Sequence, residues 1–347
     1  MSVINSINII RPDDWHVHLR EGNMLDLITQ HTSRVNHRAI AMPNLEVPVT
    51  TSQQGIDYKA MILSVNQNNN FVPLVPCYLT ETLNLLDFEN ALKKNIFVGA
   101  KLYPTNATTN SSFGITKIEN IFPMLEILEK LNKPLLVHGE KVKEDIDIFD
   151  REKFFIDEEL NLIRNKFINL KIILEHVSSE YGADYVNSNN NIAGTITPHH
   201  LMLTRKDVFF DESINPHHFC MPVVKTEKDL IALRKYACSG NDKFFIGTDS
   251  APHHIKTKIP NLTAKPGIFS SPCSIELYTS IFEEENSLDQ LENFCSINGP
   301  KFYNLPINSD HIELVKEKWI VPEYTEFKEV KIKNYMGGRE LNWKINQ

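Results

Sequence analysis

Eight short runs rich in apolar and β-branched residues recur along the chain, and each ends on polar side chains. They span residues 7–18, 38–44, 71–77, 96–101, 134–138, 171–176, 192–199 and 243–249. Stretches such as Leu135-Leu136-Val137 and Ile172-Ile173-Leu174 show little alternation. That pattern reads as parallel strands covered on their outer face. Every gap is long enough for a parallel crossover, which needs a dozen residues or more. Some gaps carry helical spacing. Residues 118–131 place Ile121, Met124, Leu125 and Leu128 on one face. Residues 157–167 are similar, and 226–237 open on Thr226 with Asp229 three residues on, the spacing of a capping box. Eight strands alternating with helices between residues 7 and 249 predict an α/β chain, a (β/α)8 TIM barrel, usually about 250 residues long.

A doubly wound open sheet is the alternative. No Gly-x-Gly-x-x-Gly follows any of the strands and no Walker sequence occurs. Residues 309–319 and 328–332 alternate and are expected at a sheet edge. No linker rich in Pro, Gly or Ser sets them apart. The expectation is one domain over 1–347, with short N- and C-terminal additions and a C-terminal extension from about 289 packed on the barrel.

What ends the strands is informative. The first run closes with Trp15-His16-Val17-His18-Leu19-Arg20, the fourth with Lys101, the fifth with His138, the sixth with His176 and the eighth with Asp249. In a barrel, the C-terminal ends of the strands share one mouth. His16 and His18, two apart on a strand, face the same way. Neutral imidazoles with a carboxylate suit zinc and similar cations. Any one of these residues has an ordinary structural reading; the set of five at strand ends points to a metal site. Lys101 follows an apolar run, and burial lowers the pKa of an ammonium. It reads as a snorkelling lysine, a Schiff-base lysine, or an amine that forms a carbamate with carbon dioxide and bridges two cations.

Lys and Arg total 36 against 44 Asp and Glu, a net charge of −8, so no global electrostatic footprint for nucleic acid is present. The first ten residues lack a secretory pattern, and no run of 18 apolar residues predicts a membrane span. The five cysteines are odd in number and contain no Cys-x-x-Cys. They are expected to be reduced thiols of a cytoplasmic protein. The His199-His200 and His217-His218 pairs lack a carboxylate at matching spacing and are read as structural.

At the level of motifs the chain resembles the dihydroorotases of the single-function bacterial type, within the amidohydrolase superfamily. The matching segments are residues 11–20 (RPDDWHVHLR), 42–45 (MPNL), 100–104 (AKLYP), 106–112 (NATTNSS), 134–140 (PLLVHGE), 174–177 (LEHV) and 247–253 (GTDSAPH). The resemblance implies two zinc ions per subunit. His16, His18, carbamylated Lys101 and Asp249 would hold one, and the same carbamate with His138 and His176 the other, with a hydroxide between them. It implies reversible closure of N-carbamoyl-L-aspartate to L-dihydroorotate in pyrimidine synthesis, with Asp249 as base and then acid. It implies substrate contacts from His18, Arg20, Asn44, Met221 and His253, a lid carrying Thr108 and Thr109, a small-molecule substrate as partner, no nucleic acid or membrane, and a homodimer. The loop after His253 departs from the family pattern and is one residue longer. Its backbone contact falls to Pro266 or Ala264, and Pro266 has only a carbonyl to offer.

Overall fold

The computed structural model describes residues 4–68 and 70–346. The barrel strands are Asp13–Val17, Arg38–Ala41, Val72–Leu74 with Cys77–Tyr78, Ala100–Leu102, Leu135–Val137, Ile172–Leu174, Ile192–Ile196 and Phe244–Ile246. Every neighbouring pair is parallel. Side chains such as Leu136, Ile173, Ala193 and Phe245 are fully buried. Covered strands need no polar face, which is why these runs lack alternation.

The ladder closes on itself at the mouth. Ser250 bridges to Val17, and the Asp249 N–H donates to His16 O at 2.9 Å. Asp14 reinforces this seam by accepting the Thr248 N–H at 2.9 Å and its hydroxyl at 2.6 Å. Burial raises the Asp14 carboxyl to about 6, against the pull of those Thr248 bonds. Its neighbour Asp13 takes a two-pronged ion pair from Arg38, at 2.9 and 2.6 Å. Both partners are buried, so the pair ties the first barrel strand to the second.

Two of the expected strands are broken. The first run, 7–18, divides into Ser6–Ile10 and Asp13–Val17. Pro12 has no N–H for a ladder, and the chain changes sheet there. Ser6–Ile10 instead pairs antiparallel with His311–Val315, which also pairs with Lys344–Asn346. The third run stops at Leu74 and resumes at Cys77, on either side of Pro76. The fourth run is confined to Ala100–Leu102, and the remaining runs end one to three residues short of their expected limits, so most of the site residues sit just beyond the strands.

The helices follow their sequence signals closely. Glu227–Cys238 starts at Thr226, and the capping box with Asp229 is present. Residues 118–131 form a 3-10 turn, Ile118–Ile121, then the α-helix Phe122–Lys130 with Met124, Leu125 and Leu128 inward. The 157–167 segment lies in a longer helical stretch that begins at Arg151 and passes through a π-turn at Ile156–Leu160. Beyond the barrel, the hairpin Tyr324–Phe327 with Val330–Lys333 covers the expected stretch 328–332, whereas His311–Val315, expected at an edge, is the central strand of its sheet. No helix among the described residues is long and apolar enough to cross a membrane.

Candidate active site

The first barrel segment carries His16, within its strand, and His18, just past its end, to the mouth with their Nε2 atoms 3.3 Å apart. Asp249 Oδ1 completes a triangle, 3.3 Å from His16 Nε2 and 3.1 Å from His18 Nε2. A tetrahedral zinc ion, with bonds of about 2.0–2.2 Å, holds its ligand atoms about 3.3–3.5 Å apart. The triangle therefore has the dimensions of one face of such a site. A second pair lies beside it. His138 Nδ1 and His176 Nε2 face one another at 3.2 Å, and His138 Nε2 is 2.8 Å from Glu140 Oε2. The Glu140 contact fixes which nitrogen of His138 is free, as outer carboxylates do for metal-binding imidazoles. His16 and His176 ring centres are 5.1 Å apart, so the two sets adjoin.

Lys101 lies beneath them, fully buried, and is not part of the cavity wall. Its ammonium makes a short ion pair with Glu175, whose other oxygen is 2.9 Å from His16 Nδ1. Burial pushes the Lys101 amine down while Glu175 opposes that shift. Burial also works against a charge on His16, but the Glu175 and Asp249 carboxylates prevail and raise it to about 9. His18 is lowered to about 3 by burial and by Arg20. Burial opposes ionisation of Asp249, yet His16 and His18 bring it well below the usual carboxylate range. Facing lone pairs and a carboxylate kept ionised amid buried imidazoles form a donor set that a divalent cation satisfies. The buried Nδ1 of His176 also has no hydrogen-bond partner.

Three of the residues at the mouth carry positive φ without being glycine: Arg20 at 60°, His176 at 42° and Asp249 at 43°. This strained region is sparsely occupied by such side chains and clusters at functional sites. At His176 the twist has a clear consequence. Glu175 and His176 are adjacent and would point to opposite faces of a regular strand, yet both reach the same cluster.

A narrow cavity opens above the histidines. Arg20, Asn44, Thr108, Thr109, Met221 and Pro266 line it, as does Tyr103. The segment 105–112 is folded down on the cavity. Asn44 Nδ2 donates to Thr109 O at 2.9 Å, and Asn110 Nδ2 donates to Asn44 O at 3.1 Å. Buried polar atoms face inward without partners here, namely Asn44 Oδ1, Thr109 Oγ1 and Tyr103 Oη.

His253 stands behind Arg20 and off the wall. Its Nε2 is 3.1 Å from Arg20 Nη2 and 2.9 Å from Pro266 O. One ring nitrogen cannot accept from the guanidinium and donate to the carbonyl together. A carboxylate accepting from Arg20 at this point would relieve that conflict and leave His253 Nε2 free to donate to the carbonyl. Pro266 lines the cavity, while Ala264 is buried in an apolar cluster. Gly267 follows because φ is 145° and a Cβ would meet the Ala251 side chain at 2.9 Å and its carbonyl nearer still. His200 has Thr197 Oγ1 at 2.8 Å on Nδ1 and Pro222 O at 3.0 Å on Nε2, whereas both ring nitrogens of the buried His199 lack a partner and lie near His200 and Cys220.

Sequence reasoning missed Glu140 and Glu175. Glu175 directly precedes His176 and Glu140 lies two residues past His138, charged positions at the ends of apolar runs, which is a usable signal. It also missed Tyr103.

A closed parallel barrel with imidazoles, a carboxylate and a buried lysine converging at its C-terminal mouth defines a hydrolase of the amidohydrolase class, and the profile of the Amidohydrolase family matches residues 9–331. The dihydroorotase of Buchnera aphidicola subsp. Schizaphis graminum is 46% identical over 347 residues, 99% of each chain. Among solved structures, dihydroorotase from Saccharomyces cerevisiae in complex with 5-fluoroorotic acid superposes with a TM-score of 0.92 at 32% identity, covering 99% of both chains. Dihydroorotase from Campylobacter jejuni gives 0.91 at 32%, covering 100% of this chain and 99% of that one. The chain belongs to the dihydroorotases of the amidohydrolase family.

Proposed function

We propose that this chain catalyses the reversible closure of N-carbamoyl-L-aspartate to L-dihydroorotate, with loss of water, in pyrimidine biosynthesis. One observation carries the reading. A single cavity joins the His16, His18 and Asp249 triangle to a half-buried guanidinium, Arg20, whose own partners are a carbonyl and an imidazole. The first half suits amide hydrolysis and the second suits a substrate with a carboxylate.

Zinc fits the donor set, as two ions per subunit. His16, His18 and Asp249 would hold one, His138 and His176 the other, with Lys101 between them as its carbamate. Bound there, the ions would make a water nucleophilic near neutral pH and polarise the ring amide carbonyl. Asp249 Oδ1 faces the two imidazoles, so Oδ2 is the atom assigned to proton transfer. In ring opening it takes a proton from water and delivers it to the departing ring nitrogen. Ring closure runs the same transfers backwards. Arg20, His253 and Asn44 bind the substrate carboxylate, with His18 alongside, and Arg20 supplies a planar fork matched to it. Met221 and Pro266 contact the ring through backbone groups. Thr108 and Thr109, held over the cavity through Asn44, bond the substrate and keep bulk water out. In this reading the chain is a single cytoplasmic hydrolase domain with 289–347 as an extension, and it works as a homodimer.

The test is ring opening of L-dihydroorotate by the purified protein, followed by the loss of ultraviolet absorbance, beside dihydrouracil, which lacks the carboxylate. Opening of dihydroorotate alone, abolished by a chelator and by Lys101→Ala, is the expected result. Equal opening of dihydrouracil would replace this assignment with a general cyclic amidase. Activity on neither would refute it.

A further inference from the structure

Lys258 is buried, and its Nζ donates to three carbonyl oxygens: Gly267 O at 2.7 Å, Lys265 O at 2.8 Å and Phe219 O at 3.4 Å. Its recorded hydrogen-bond partners include no carboxylate. Three acceptors call for three N–H donors, which an ammonium has and a neutral amine lacks. The carbonyls come from two separate stretches of chain. Phe219 lies two residues before Met221, and Lys265 and Gly267 flank Pro266. These stretches already meet through the Gly267 N–H to Phe219 O bond at 2.9 Å. Lys258 therefore clamps together the two backbone segments that border the cavity, on the side where Arg20 and His253 stand. Burial pushes this amine down to about 7 and Arg20 adds to the effect. The three carbonyl dipoles act the other way, and so would an incoming anion.

We infer that Lys258 is a positioning and specificity residue: it fixes the Met221 and Pro266 backbone at the carboxylate end of the cavity and makes that end cationic, so that an anionic substrate is selected. This rests on the dihydroorotase reading above. Without the clamp the loop 253–267 keeps only backbone bonds such as Gly267 N–H to Phe219 O, and Pro266, whose carbonyl meets His253 beside Arg20, is held less firmly. The lost interactions concern binding of the carboxylate, which is bound alike in ground and transition states, so the expected effect falls on KM.

The experiment compares the zinc-loaded protein with Lys258→Met, which keeps the length and removes the charge and donors, and with Lys258→Gln, which keeps donors without charge. The expected result for Lys258→Met is a KM for L-dihydroorotate raised about tenfold or more, kcat changed by less than about threefold, and unchanged zinc content. The dependence of kcat/KM on ionic strength should flatten, because a charge that attracts the substrate has gone. Lys258→Gln should fall between the two. An unchanged KM, or a fall in kcat that tracks lost zinc, would overturn the inference. So would failure of both variants to fold, which would make Lys258 a residue of the fold and not of substrate selection. If the unmodified protein itself does not open L-dihydroorotate, the functional reading fails instead, and the two failures are distinct.

Discussion

Gly299→Ala is the smallest change that the first barrel strand cannot absorb. Gly299 lies in the short helix Asn298–Tyr303, packed against the indole of Trp15. A Cβ on residue 299 would sit 2.6 Å from Trp15 Cδ1, with Nε1 and Cε2 closer still. The indole has nowhere to go. It is stacked on Tyr303 at 4.3 Å and 13°, meets Phe245 edge-on at 6.2 Å, and carries the Arg38 guanidinium 5.8 Å from its ring centre. Its chain neighbours are Asp14, bonded to Thr248, and His16 in the ligand triangle, so relief has to come from moving the strand. Overpacking costs about 1–3 kcal/mol when side chains alone adjust. A disturbed aromatic stack adds about 0.5–1.5 kcal/mol. The expected loss is thus about 3 kcal/mol, with weaker zinc binding because His16 moves with its neighbour.

Urea unfolding followed by far-ultraviolet circular dichroism measures the loss, and a chromophoric chelator in competition measures the zinc. Trp15→Ala removes the ring that collides and should cost about 3–5 kcal/mol by itself, through lost volume. Combined with Gly299→Ala, the two changes should cost about 1–2 kcal/mol less than their sum, since the second clash no longer exists. A Gly299→Ala protein within about 0.5 kcal/mol of the parent, or strict additivity in the double variant, would refute the steric argument.

Glu81 accepts from the Thr116 hydroxyl and N–H at 2.7 and 2.8 Å, from the Lys117 N–H at 3.1 Å and from Asn120 at 2.8 Å, and these bonds hold its carboxyl down to about 2. A depressed folded-state pKa stabilises above the ordinary value near 4.5, and that contribution fades as pH falls toward 2. The Tm difference between the protein and Glu81→Gln should therefore be present at pH 6 and shrink on acidification, and a gap that persists or widens toward pH 2 would contradict it. Glu175→Gln leaves Lys101 and His16 without their shared carboxylate; zinc affinity by competitive titration should fall about 10–100-fold, and an unchanged value would remove Glu175 from the support of the site.

How much of this could be read in advance depended on whether the information was local. The barrel was legible because covered parallel strands write themselves as apolar runs, and the histidines were legible because they ended those runs. The first run misled because Pro12 stops a ladder without interrupting the apolar pattern, so residues 7–10 joined a sheet with the distant His311–Val315. Nothing near Ser6 in sequence specifies that partner.

The carboxylates went unassigned for a different reason. Alternation along a strand says that Glu175 and His176 face opposite ways, and only the positive φ at His176 brings both into one cluster. A period of two cannot foresee a residue that breaks it. Lys258 is harder again, since its significance lies in three backbone carbonyls, and carbonyls are carried by every residue and marked by none. The side chains that perform chemistry are chosen by type and so leave a trace in the sequence. The groups that hold them in place are chosen by position, and position is decided only when the barrel closes between Val17 and Ser250.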